Sequence, residues 1–147
     1  MEYDETKKVE EHEDDAVEIY SKWAILGFSI MPSPLFGGIL LMMNLWAAGL
    51  KRAMYGVLVF VISYMVVTDV LIDHFLTTPK VINPNVIDNN FLILAGVSLL
   101  VNLIGGLILS FVFFKKYFPD DDYYPKSILI PISIIIILVI ITRFVGV

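Results

Sequence analysis

Four stretches without a charged residue confine what this chain can become: Trp23 to Leu50 (28 residues), Ala53 to Thr68 (16), Phe91 to Phe114 (24) and Ser127 to Thr142 (16). A hydrocarbon core of roughly 30 Å takes about 20 helical residues to cross, and about 17 to 25 is the usual range. The first and third stretches therefore cross easily. The second and fourth need a few boundary residues, and the second reaches Ile72 if Asp69 is tolerated. Backbone polar groups cannot stay unpaired in lipid, so spanning segments are helices or strands of a closed barrel. A barrel would show alternating segments of about ten residues, and the chain has none.

The expectation is an all-α membrane protein: a four-helix transmembrane bundle with helices near 20–50, 53–75, 90–115 and 126–145. Three spans plus a re-entrant segment is the competing arrangement. Composition agrees, with 58% hydrophobic residues, 17% charged and a mean hydropathy of +0.82, against about 45–50% apolar in soluble domains.

Charge divides the chain in two. Nine of the fifteen acids fall in the first 20 residues, so residues 1–19 read as an acidic, flexible tail and residues 20–147 as the bundle. That tail has no apolar core of the kind a cleavable signal needs, and the first helix is expected to act as its own insertion signal. Cysteine is absent, which excludes disulfides, thiolate nucleophiles and thiolate metal sites. Bases are too few for a nucleic-acid surface.

Helix one carries the awkward residues. Tyr20 and Trp23 can anchor its start in the headgroup layer. Pro32 and Pro34 then each remove a donor and crowd the preceding turn, so the helix should kink or break there. Ser29, Ser33 and Gly37 fall at i, i+4 and i+8, with Gly38 beside them. Small residues at that spacing let helices approach closely in lipid, and a second stripe in helix three has the same form: Ser98, Asn102, Gly106 and Ser110. The breakers thus read as packing features. The sharper reading is a discontinuous helix that offers backbone groups to a substrate or ion.

Few groups could do chemistry. Asp69 is an intramembrane carboxylate, by default a candidate for ion or proton handling. Asp73 lies one turn on, with His74 adjoining. In an up-down bundle Lys22 and Arg143 reach the same end, which makes them candidate charge partners and gives Asp69 a structural alternative. His74 lacks the further ligands of a zinc site, and His12 in the acidic tail reads as solvated. Asn44 and Asn102 are expected to bond across helix interfaces. No phosphate loop, serine elbow or paired-histidine helix occurs, and no cofactor is expected. By the Lys/Arg bias, Lys51, Arg52, Lys115, Lys116 and Lys126 outnumber Lys22, Lys80 and Arg143, which places both termini outside the cytoplasm.

The segment from Tyr20 to Met54 resembles the N-terminal part of a group of small, uncharacterised bacterial membrane proteins. The residues that carry the resemblance are Tyr20, Ser21, Pro34, Leu35, Gly37, Gly38, Asn44 and Lys51. The extra Pro32 and the run "AAGLKR" depart from that pattern. The resemblance implies a multi-pass protein of a bacterial inner membrane and carries over no catalytic role. The expected function is a scaffold or accessory subunit without enzymatic activity, in contact with the bilayer and packing with itself or with a larger membrane partner. The alternative is a small oligomeric transporter or channel subunit with Asp69 as its proton or ion group.

Overall fold

The computed structural model describes residues 17–76, 89–119 and 123–145. The tail up to residue 16, with His12, and the loop 77–88, with Lys80, lie outside the described residues. Strand β1 (Glu18–Ile19) precedes α1 (Lys22–Ile30), α2 (Pro34–Ala47), α3 (Lys51–Leu76) and α4 (Asn89–Leu107). A π-helical turn (Ile108–Phe113) then carries α4 without interruption into α5 (Phe114–Tyr117), and β2 (Tyr124–Pro125) and α6 (Leu129–Val145) complete the chain. The protein is mostly helical. Two of its helical rods, Lys51–His74 and Leu92–Tyr117, are long and apolar enough to cross a membrane, and Pro34–Ala47 and Leu129–Phe144 are shorter apolar helices.

The expected break in helix one is present, but the expected single kinked span is not: the chain reverses. A Cβ built on Gly37 would meet the Ser29 side chain and lie 2.6 Å from the Ile25 carbonyl oxygen, and Tyr20 bonds Asn44, so α1 and α2 lie antiparallel. The local cause is readable. Met31 N–H still reaches the Gly27 oxygen at 3.1 Å and closes α1. Pro32 has no N–H to continue it, and Ser33 is fully extended at φ 179° and ψ 164°. Pro34 opens α2 at the first helical position, where the missing N–H would be unpaired anyway. Phe36 N–H returns to the Ser33 oxygen at 3.0 Å. The two prolines thus delete two of the donors that a reversal in apolar surroundings would orphan.

At its other end α2 stops on a Schellman turn. Leu50 N–H bonds the Leu45 oxygen at 2.8 Å and Gly49 N–H the Trp46 oxygen at 2.9 Å, with Gly49 at φ +73°, the left-handed conformation that glycine adopts without steric cost. Lys51 begins α3 at once, so α2 and α3 form a second tight hairpin in which Gly38 lies against Val61. Helix α1 packs in turn on α4 and the π turn, antiparallel to them, as the Trp23–Phe111 edge contact (ring centroids 5.9 Å apart) and the Asn102–Ile30 bond require. The α1–α2 hairpin is therefore a wedge, α2 against α3 and α1 against α4. The core sits at the wide end of this wedge: Ile19, Tyr20, Ile25, Leu40, Leu41, Leu45, Val57, Val61, Leu109 and Phe114. Of α6, only Pro131 and Ile135 are even partly covered among its described side chains.

Candidate functional site: the clasped end of the hairpin

Nine residues make α1 about 13 Å long, too short to stand alone, and each of its ends is held by an asparagine from another helix. Before its start, Asn44 of α2 accepts from Tyr20 N–H at 2.8 Å and donates to the Tyr20 carbonyl at 2.7 Å. One side-chain amide thus satisfies both polar groups of a buried residue, as a neighbouring strand would. The N-cap Ser21 accepts from Ala24 N–H at 3.2 Å. At the far end, Asn102 donates to the last α1 carbonyl, Ile30, at 3.4 Å. Both asparagines do bond across interfaces, as expected, and what they bond is backbone. On the opposite side of the clasp, β1 pairs in parallel with β2, Glu18 beside Tyr124 and Ile19 beside Pro125, and Lys126 N–H reaches the Ile19 oxygen at 2.8 Å. Tyr20, expected at the headgroups as an anchor, is instead buried, whereas Trp23 is exposed.

This end gathers groups that are far apart in sequence. Glu18, Tyr20, Met43, Asn44, Trp46, Ala47 and Lys126 line a recess of about 330 Å³. The Lys126 ammonium stands 5.6 Å from the centre of the Tyr20 ring. Sequence reasoning missed Glu18, Trp46 and Lys126 because nothing in their spacing pairs them. The available signal was the aromatic and basic run Tyr123, Tyr124 and Lys126 that precedes the last helix.

Of the expected packing residues, Ser29, Gly37, Gly38, Gly106 and Ser110 are buried, and Ser33, Ser98 and Asn102 are partly covered. Ser29, Ser33 and Gly37 do not form one stripe along a continuous helix, because Ser29 meets Gly37 across the reversal. Of the helix-three stripe, Asn102 and Gly106 meet α1: Asn102 bonds the Ile30 carbonyl, and a Cβ on Gly106 would sit 2.7 Å from that of Ser29. A four-residue period drifts by roughly 40° per step on an α-helix of 3.6 residues per turn. The wider π turn offsets that drift, so Leu109, Ser110 and Phe114 remain buried. Ser110 Oγ is buried with no hydrogen-bond partner among the described residues. Ser110→Ala removes a desolvated hydroxyl and is expected to raise stability by about 1 kcal/mol, read as thermal unfolding in detergent. A fall of that size would mean that the hydroxyl has a partner.

Asp69, Asp73 and His74 are exposed on the last two turns of α3. The reversal corrects one expected partnership: Lys22 starts α1 next to β1 and the end of α2, the end at which Lys51 begins α3, whereas Asp69 lies about 27 Å along α3 from Lys51. Arg143 is an exposed residue near the end of α6. With Asp69 exposed, Asp69→Asn is expected to change stability by no more than about 0.5 kcal/mol in the same unfolding assay. A loss of several kcal/mol would instead restore the buried ion pair expected from sequence.

Comparison with family models, with curated proteins and with solved structures finds no match to this chain.

Proposed function

We propose that the chain is a small integral membrane scaffold or accessory subunit of a bacterial inner membrane, in which α3, the α4–α5 rod and α6 span the bilayer and the α1–α2 hairpin enters and leaves on one face. The main support is the exposure of the two longest apolar rods. Only 11% and 17% of their most apolar windows are covered by the rest of the chain, whereas a core helix of a soluble fold is mostly buried. Exposed Trp23, Trp46 and Tyr55 cluster at the clasped end, as aromatic side chains do at a headgroup layer. Non-helical backbone at membrane depth must be covered by protein, and the hairpin tip at Pro32 and Ser33 is partly covered while Pro34 is buried.

The reversal also changes the charge count. Lys22 joins Lys51, Arg52, Lys115, Lys116 and Lys126 on one face, and among the described bases this leaves Arg143 for the other. A bias of six to one among the described bases favours the clasped end in the cytoplasm and the end of α6 outside, in place of the two external termini expected from sequence.

Packing with another subunit is favoured by α6, apolar on every side, and by Gly56 and Gly96. Among the described residues nothing lies within 4 Å of a Cβ built on either glycine, so α3 and α4 each present a small residue where a second helix can approach closely. The protein is expected to resist alkaline carbonate extraction and to migrate as an assembly in mild detergent, and Gly56→Leu and Gly96→Leu should weaken that assembly while leaving the monomer folded. Because the chain has no cysteine, single cysteines at positions 51, 73 and 126 report sidedness. Labelling from outside at 73 alone is the expected result. Carbonate-soluble protein would refute the membrane reading, and labelling at 51 and 126 the orientation.

A further inference from the structure

The recess at the clasped end combines one acid, one base and an apolar wall. We propose that it holds the headgroup of a zwitterionic phospholipid bearing a primary amine, the phosphate against Lys126 and the ammonium against Glu18. The proposal rests on the membrane reading above. Its volume of about 330 Å³ lies at the small end of the roughly 300–1,000 Å³ common for ligand sites.

Placement supplies the amphipathic match. The recess opens beside the last two turns of α2, at the level of exposed Trp46, and Ile39, Met43 and Trp46 form an exposed apolar strip on one face of that helix. An acyl chain can lie along this strip while its headgroup occupies the recess. Lys126 is pre-positioned by its N–H bond to Ile19 and by its ammonium over the Tyr20 ring, at a separation within the roughly 6 Å reach of a cation–π contact. Glu18 is fixed from the other strand by its register with Tyr124. Both the Glu18 carboxylate and the Lys126 side chain line the recess, where a ligand can meet them.

The chemistry separates the common phospholipids. A purely anionic headgroup satisfies Lys126 and brings a negative charge towards Glu18. A choline headgroup balances the charges and has no N–H to donate to the carboxylate. A primary ammonium beside a phosphate meets both, through charge-assisted hydrogen bonds.

The test uses the full chain in mild detergent, equilibrated with equal amounts of phosphatidylethanolamine, phosphatidylcholine and phosphatidylglycerol and read by native mass spectrometry. Retention of the ethanolamine lipid about fivefold over the other two is expected, equivalent to about 1 kcal/mol. Lys126→Gln, which keeps the backbone bond to Ile19, should abolish the preference while lowering lipid-free stability only slightly, through loss of the contact with the Tyr20 ring. Glu18→Gln leaves a net positive recess and should turn the preference towards phosphatidylglycerol. Retention of the three lipids in the proportions supplied would overturn the proposal, as would a preference unchanged in both variants. Soluble phosphoethanolamine is the remaining arm: a thermal shift equal to that given by the lipid would overturn the lipid as occupant in favour of a free zwitterion. A carbonate-resistant chain without lipid preference would remove the headgroup assignment alone, whereas a carbonate-soluble one would remove the membrane reading with it.

Discussion

Replacing Asn44 with leucine, similar in size and unable to hydrogen-bond, is expected to destabilise the protein by about 2–4 kcal/mol, because each buried polar group left without its partner costs about 1–3 kcal/mol. Two groups lose their partner at once, the N–H and the carbonyl of Tyr20, which bond Asn44 at 2.8 and 2.7 Å. Tyr20 is 2% exposed, so water cannot take the amide's place without opening the clasp. The loss should appear as a lower unfolding midpoint in detergent and as faster amide exchange from Ile19 to Ala24. Asn102→Leu is the comparison: it removes a single, longer bond of 3.4 Å at a partly covered site and should cost about 1 kcal/mol or less. Equal losses from the two changes would mean that the clasp does not anchor α1.

The contrast between these asparagines marks how much could be read from the chain itself. Two long apolar segments were legible because charge-free runs of 16 and 24 residues, Ala53 to Thr68 and Phe91 to Phe114, have few ways to bury themselves, and the expected boundaries of α3 and of the α4–α5 rod lie within two residues of those observed. The break at Pro32 and Pro34 was legible too, since proline removes a donor wherever it stands. The reversal was not. A kinked helix and a hairpin make the same local demands on two prolines and a serine, and the choice between them is made by tertiary bonds from residues 24 and 72 positions away.

The small-residue pattern was ambiguous for the same reason. Ser29 and Gly37 lie eight apart, hence on one face of a straight helix, and each is also four residues from Ser33, hence opposite one another when the chain turns there. Taking helix one as continuous put Lys22 at the far end from Lys51, and with it the partner assigned to Asp69. Glu18 and Lys126 were invisible at this level, since only the pairing of two short strands brings them together.

The reversal can be tested at the glycines it depends on. Gly37→Ala places a methyl group 2.6 Å from the Ile25 carbonyl oxygen and against Ser29 Oγ. A backbone carbonyl inside a helix cannot step aside as a flexible side chain can, so α1 and α2 must separate. Overpacking of this kind costs roughly 1–3 kcal/mol, which here outweighs the gain of about 0.5–1 kcal/mol from removing a glycine from a helix interior. Gly27→Ala isolates that gain: the site is on α1, on the same hairpin, with nothing within 4 Å of the added Cβ, and the substitution should stabilise. In a continuous kinked helix neither methyl group would face the other half of the segment, and both changes would stabilise alike. Opposite signs in a thermal or denaturant unfolding series therefore support the hairpin, and matching signs would return helix one to a single span.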